Sequence, residues 1–521
     1  MGCFKMDEDN ETSNLLSPDR EKGLEIEETE KPRYPYSVFC ILSTEACERF
    51  SYYGMRTILV LYLQSLLSKH SMVGYSSESV DSVAKTLYHT FVFLSYFTAL
   101  IGAFLADSFW GKFKTIFYIS IVYAIGQAIL TFGSIPDESN WTNLPREWLS
   151  YIGLLLIAFG TGGIKPCVVS FGADQFKLPE QQKELDTFFD VFYASINIGS
   201  LLSTFFTPML RNVHCYGSDH CFPLAFGVPS ILMVLAVMFF LVGKSFYKRR
   251  IPESNIVYNF FNCLWVGFKN RKNPYKSEHL DASDSNYSWL YKAELNPKYD
   301  VNFIEDVMAV LKVSVLMIPF PIFWSLYDQQ GSQWLIQATK MNGAITESFT
   351  LLPDQTSIFN AFFVLFLIPV FNKLIYPVFD RCGILTKPLS KIACGGMFLA
   401  LAFVIAGILE IVLDRFPNKS IHMAWLIPQY FCLTCGEIMF SITSLQFVFT
   451  EAPEKMKTVV QALYLLTTAF GNFIDIMIMG IFDSLFSRAM ESFVFSAIMF
   501  MDMLILLYLA RNYKHYRPRK N

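Results

Sequence analysis

Glu45, Arg49, Tyr52 and Arg56 follow one another at i, i+4, i+7 and i+11, with Glu48 beside them, in a stretch otherwise rich in apolar residues. On a helix this spacing puts the four on one face. An ionisable side chain at the centre of a membrane helix costs about 2.5–3.5 kcal/mol on insertion scales. Such a stripe therefore faces water, a ligand or a partner, never lipid. A static ion pair locking two helices needs one acid and one base. Two of each exceed that need and suit proton exchange or the binding of a charged ligand.

Other polar groups fall in apolar stretches too. His89 has a side chain that titrates where a proton carrier needs it, although an interior histidine is often only a satisfied polar group. Lys165 sits in Gly160-Thr-Gly-Gly-Ile-Lys165-Pro166, where glycines permit close helix approach and the proline kinks the helix. Glu437 follows Gly436, and Asn197 and Asn360 add neutral contacts. Arg49, Arg56 and Lys165 lie in the first half of the chain and Glu437 in the second. A ligand with a carboxylate at one end and an ammonium at the other suits such a cavity. From these residues alone the inference stops at a zwitterion.

The elements that must hold these groups are membrane helices. The 521 residues are 53% hydrophobic and only 17% charged, against about a quarter charged in soluble domains. A bilayer core of about 30 Å needs roughly 20 apolar residues per helix. Windows of that width fall near 38–67, 86–108, 113–133, 149–170, 188–210 and 223–243. Six more fall near 307–330, 356–380, 391–413, 422–450, 457–482 and 490–510. Six spans, a linker and six spans predict an all-α membrane protein of the major facilitator fold, with 12 transmembrane helices in two six-helix bundles. The expected divisions are a disordered cytosolic tail (1–37), a first bundle (38–243), a cytosolic linker (244–306), a second bundle (307–510) and a cytosolic tail (511–521).

Most of the 42 Lys and Arg fall in segments that are cytosolic if the N-terminus is inside, as the positive-inside rule requires. Asn140-Trp-Thr142 and Asn418-Lys-Ser420 then put glycosylation sequons on outer loops, although sequons at Asn10 and Asn286 fall inside. Cys215 and Cys221 share one outer loop, where a disulfide can form. In the linker, Ile256 to Phe268 is apolar but too short to span, which predicts a helix lying on the inner membrane surface. Cys432 and Cys435 form a CxxC inside an apolar helix, where small core residues are the expected reading. No metal spacing, cofactor motif or nucleophile stands out, so neither an enzyme nor a cofactor is expected. The net charge of −3, with no basic patch interleaved with aromatics, gives no hint of nucleic acid.

With these residues in view, the chain is identified as resembling the proton-dependent oligopeptide transporters of the major facilitator superfamily. Glu45-x-x-Glu48-Arg49-Phe50-Ser-Tyr-Tyr-Gly resembles their ExxER signature, and Gly160 to Phe176 resembles a second signature. Gly102-Ala-Phe-Leu-Ala-Asp107-Ser-Phe-Trp-Gly-Lys-Phe-Lys114 resembles the gating loop of the superfamily. Pro319-Phe-Pro-Ile-Phe323-Trp324-Ser-Leu-Tyr-Asp-Gln-Gln-Gly331 is similar to animal intestinal and renal members. The resemblance implies symport of di- and tripeptides with protons. Glu45, Glu48, Arg49 and His89 would couple protons. Arg49, Arg56 and Lys165 would meet the peptide carboxylate, and Asn197, Asn360 and Glu437 its amino end. Tyr52, Tyr62, Tyr96, Tyr193, Phe323, Trp324, Tyr327 and Tyr464 would line side-chain pockets, and Asp107, Lys312 and Asn372 would belong to gates. The alternative within the family is a cargo such as histidine, another small zwitterion or a peptidomimetic.

The chain departs from the family in places. Lys312 occupies the position of an arginine that animal relatives pair with an aspartate, and that partner position reads Asn372 here. Tyr464 stands in place of a tryptophan. The short connection from Asp414 to Ser420 leaves no room for the large extracellular domain of the mammalian intestinal type. Glu11-Thr-Ser-Asn-Leu15-Leu16 fits an acidic dileucine signal for sorting adaptors, which sets an endolysosomal membrane beside the plasma membrane as the expected site.

Overall fold

A computed structural model describes residues 35–70, 77–136, 146–177, 180–249, 255–273, 288–347, 349–383, 385–416 and 419–513. Among them there is helix and no named strand. The first six long helices are α1 (Tyr36–His70), α2 (Ser77–Leu105), α3 (Gly111–Gly133), α4 (Arg146–Ala173), α5 (Gln182–Arg211) and α6 (Phe222–Val242). The linker contributes α7 (Ile256–Lys269). The second half contains α8 (Val301–Leu316), α9 (Phe320–Asp328), α10 (Gln333–Thr339), α11 (Ile358–Val370), α12 (Pro388–Arg415), α13 (Ile427–Glu437), α14 (Lys457–Leu485) and α15 (Arg488–Asn512). Beyond α11 and α13 the helices continue through π-helical turns to Arg381 and Glu451.

Among the described residues nine helices are long and apolar enough to cross a membrane, or ten if one bent pair is a single span. The difference from the twelve expected has identifiable causes. The pair α8 with α9–α10 bends by 52°. Its break contains Pro319, followed by Pro321, and a proline cannot donate the helical hydrogen bond. A run of 55 residues, Ser79–Gly133, counts once, although at 1.5 Å per residue it would be about 80 Å long, far beyond one bilayer. Gly111, inside that run, has φ +74° and ψ 156°, which is not helical. In α1, Glu45, Glu48, Arg49 and Arg56 dilute the apolar windows.

Glycines explain how closely α4 packs on its neighbours. A Cβ on Gly162 would lie 2.0 Å from Thr98 Oγ1 and 2.3 Å from the Ser95 carbonyl, and one on Gly160 would meet Tyr123 at 2.3 Å. The stretch Gly160 to Lys165, read as permitting close helix approach, is thus the seam of α4 against α2 and α3. In the first half α1 also packs on α5 and α6, and in the second α12 packs on α13 and α15. The halves meet where α2 runs along α14 and α5 touches α11.

The linker helix α7 buries Val257, Phe260, Cys263 and Gly267. It leaves Tyr258, Phe261, Trp265 and Phe268 exposed at helical spacing, an apolar stripe of the kind that lies in a membrane interface. The asparagines of the sequons, the dileucine stretch and residues 1–34 lie outside the described residues. Cys215 and Cys221 are joined by a disulfide, and Cys432 and Cys435 are free and buried. Helix α6 runs from Cys221 of the disulfide to Gly243 before the linker, and the two ends it joins are here called the disulfide end and the linker end.

Candidate functional site

Three groups of polar side chains lie inside the helices. The first belongs to α1 and α4. Arg49 Nε lies 2.8 Å from Glu45 Oε1 and 2.6 Å from Glu48 Oε2, with all three residues buried. Thr161 Oγ1 donates to Glu48 Oε1 at 3.2 Å. Lys165 Nζ sits over the ring of Tyr96 at 3.7 Å and that of Tyr52 at 4.8 Å. A cation held over aromatic faces rather than by a carboxylate keeps donors available for an anion.

The second group lies at the cavity between the halves, which has about 140 Å³ of free volume. Its lining includes Tyr53, Arg56, Tyr88, Asn197, Tyr327, Asp354, Asn360 and Glu437. Glu437 Oε2 accepts from Asn360 Nδ2 at 2.8 Å, and Oε1 accepts from the Tyr327 hydroxyl at 2.9 Å. Asn197 borders the same space from α5, its amide donating to the Tyr193 carbonyl. Arg56 approaches from α1, with Nε donating to the Tyr88 hydroxyl at 2.8 Å.

The third group joins the halves. Arg56 Nη2 donates to Asp328 Oδ1 at 2.5 Å. Asp328 Oδ2 accepts from Asn472 Nδ2 at 2.7 Å, and Asn472 Oδ1 lies 2.8 Å from His89 Nδ1. His89 Nε2 meets Ser332 Oγ at 2.9 Å, and Asp475 Oδ2 lies 3.3 Å from His89 Nδ1. Closer to the disulfide end, Arg211 forms two bonds to Asp354, at 2.7 and 3.1 Å, and Arg488 pairs with Asp81 at 2.6 Å. These contacts clamp the halves together on that side.

The sequence readings are placed unevenly. Arg56, Asn197, Asn360, Tyr327 and Glu437 share the cavity. Tyr62 does not line it. Its hydroxyl meets Ser150 at 2.5 Å and its ring packs on Phe222 and Phe226, because it faces α4 and α6 inside the first half. Phe323 stacks on Phe440, with ring centroids 3.7 Å apart, and Trp324 and Tyr464 pack edge to face nearby. Tyr464 also bonds Ser444 at 2.9 Å, so it is held in the second half rather than in the cavity lining. Tyr193 is exposed. Asp107 lies in the π-helical turn Ala106–Trp110 after α2, and Lys112, at the start of α3, pairs with Asp174 at 2.6 Å. Lys312 is half-buried on α8, and Asn372 is exposed on the turn after α11. Asp328, Asn472, Asp475, Tyr88, Arg211 and Asp354 were not anticipated. Asp328 and Asp475 carried a usable signal, since each is a carboxylate inside an apolar span.

Residues 113–495 match the model of the POT family. The chain belongs to the POT family. It is 44% identical over 383 residues to "Peptide transporter family 1" of Drosophila melanogaster, covering 73% of this chain and 48% of that one. It is 42% identical over 391 residues to human "Solute carrier family 15 member 1", covering 73% of this chain and 53% of that one. The POT-family chain thus matches about half the length of these relatives. It superimposes on the crystal structure of the POT family transporter PepTSo with a TM-score of 0.79 at 28% identity, covering 93% of this chain and all of that one. A second structure, of an auto-inhibited POT family peptide transporter, gives 0.76 at 29% identity, with coverage of 94% and 99%. With this fold and its apolar helices, it is a multi-pass membrane protein.

Proposed function

We propose that this POT-family protein is a proton-coupled symporter of di- and tripeptides that works by alternating access, with the peptide bound between the two halves. The observation that carries the reading is one cavity bordered by Arg56 from the first half and by Glu437, with Asn360, from the second. A peptide ammonium would replace the neutral donors now on Glu437. Its carboxylate would meet Arg56 and the donors of Arg49 and Lys165. Such end-reading leaves side chains to aromatic walls, which tolerate variety. The names of the relatives, as peptide transporters, support the substrate class.

Glu45, Glu48, Arg49 and His89 are assigned to proton coupling, and Asp107, Lys112 and Asp174 to the gate at the linker end. The twelve crossings, the cytosolic termini and an outer disulfide end belong to the same reading, supported by the disulfide itself and the placement of basic residues. The clamp of Arg211–Asp354 and Arg488–Asp81 then describes a conformation closed towards the outside. The membrane that carries it, plasma or endolysosomal, and the role of the dileucine stretch belong to this proposal.

Uptake of a labelled dipeptide by purified protein in liposomes, with and without an inward proton gradient, tests it. Uphill uptake is expected only with a pH difference or a membrane potential. Uphill uptake of free histidine but of no dipeptide would replace the peptide reading by the amino-acid one.

A further inference from the structure

The hydrogen bonds around His89 define which proton it holds at rest. Asn472 Nδ2 donates to Asp328 Oδ2 at 2.7 Å and to the Thr468 carbonyl at 3.1 Å. Its amide orientation is thereby fixed, and its carbonyl oxygen points at His89 Nδ1, 2.8 Å away. Asp475 Oδ2 also lies 3.3 Å from Nδ1, within ion-pair reach but without a hydrogen bond to it. A nitrogen facing a fixed carbonyl oxygen carries hydrogen, so the neutral imidazole is protonated at Nδ1. Nε2 then accepts from the Ser332 hydroxyl, 2.9 Å away. When Nε2 gains a proton, that hydroxyl turns and accepts. No side chain has to move.

Asp475 is what makes this change affordable. The residue has no solvent exposure, and neither does His89. Its Oδ1 accepts from Ser325 at 2.6 Å and from Gln329 at 3.2 Å. Its Oδ2 has no hydrogen-bond partner and lies against the imidazole. The other charges acting on the pair are Asp328 and Arg56, which already bond each other, with Lys85 on α2 and Glu491 on α15. A buried carboxylate with one orphaned oxygen beside a titratable ring is incomplete until the ring is charged.

We propose that Asp475 is the counter-ion of protonated His89, so that the coupled proton is held between one residue of each half. This inference rests on the proton-coupled reading above. His89 belongs to α2 and Asp475 to α14, so the pair exists only while these helices are packed together. By linkage, the closed clamp binds the proton more tightly than a conformation that parts the two helices, and protonation favours closing.

The pH profile of gradient-driven dipeptide uptake in liposomes tests this. Asp475→Asn is expected to move its midpoint to lower pH by about one unit or more, the usual effect of losing an opposite charge at this range. His89→Gln should abolish gradient-driven uptake, and in that background Asp475→Asn should no longer shift the pH dependence of thermal stability, which it shifts when His89 is present. Ser325→Ala keeps the carboxylate but removes a donor from it, so the site should hold the proton more strongly and the midpoint should rise. This second variant carries the test if Asp475→Asn does not fold. An unchanged midpoint in a folded Asp475→Asn protein, a stability shift that persists without His89, or no rise with Ser325→Ala overturns the proposal. Absence of gradient-driven uptake by the unmodified chain overturns the transport reading as well.

Discussion

Arg56 Nη2 and Asp328 Oδ1 meet at 2.5 Å across the interface of the two halves, with the aspartate side chain 3% exposed and the arginine 15%. Breaking such a buried pair typically costs about 3–5 kcal/mol because one charge is left uncompensated. Here part of that cost can be relieved by parting the halves, which lets water reach the arginine. Asp328→Asn is therefore expected to open the disulfide end. A cysteine placed at Ser200, which lines the cavity from α5, in a cysteine-depleted background, should then react faster with an impermeant thiol reagent added from that side. An unchanged labelling rate would mean that the remaining clamps hold the end closed without this pair.

Glu437 receives its hydrogen bonds from Asn360 and Tyr327, both neutral donors that a ligand ammonium can supplant. Glu437→Gln should weaken binding of free dipeptides at least about tenfold, as expected when one partner of a desolvated charge pair is lost. N-acetylated dipeptides, which carry no ammonium, should lose much less. Competition binding with the two ligand series separates these outcomes, and equal losses would remove Glu437 from recognition of the amino end.

His220 lies outside the spanning helices, on the loop closed by the Cys215–Cys221 disulfide, with Nδ1 3.2 Å from Arg211 Nη1. Partial burial and then the charge of Arg211 lower its pKa. The folded state thus favours the neutral ring, so its contribution is intact above about pH 6.5 and fades as the pH falls below that value. The Arg211–Asp354 clamp should loosen in the same window. His220→Gln is expected to flatten the acid side of the thermal-stability profile between about pH 6.5 and 5. Identical profiles for the two proteins would assign the acid sensitivity elsewhere.

Gly162 packs where any Cβ would overlap the Ser95 carbonyl and the Thr98 hydroxyl. Since a backbone atom is involved, α2 and α4 must separate to admit alanine. Overpacking of this kind costs typically about 1–3 kcal/mol. Gly162→Ala should lower the melting temperature in detergent, whereas Gly227→Ala, whose Cβ would meet only Thr131 at 3.7 Å, should not. Equal stability of the two variants would show that the α2–α4 seam yields more easily than its contacts indicate.

The helical class and the stripe of Glu45, Arg49, Tyr52 and Arg56 were legible without coordinates, because helical periodicity and the cost of charge in lipid are local properties. The same rule made Glu437, His89 and Lys165 visible, and two cysteines in one loop made the disulfide visible. Partners were not legible. Arg56 and Asp328 are 272 positions apart, and His89 and Asn472 are 383 apart; no spacing along a chain encodes which helices will face each other. Tyr62 and Tyr464 show the converse. The family resemblance places each in a side-chain pocket, yet in the structure each packs against its own half, Tyr62 on Ser150, Phe222 and Phe226 and Tyr464 on Ser444 and Trp324. The sequence by itself determined which side chains must escape lipid. Only the packing of α2 on α14 and of α1 on the break between α9 and α10 decided which of them meet, because burial forces each charge to find its complement in three dimensions.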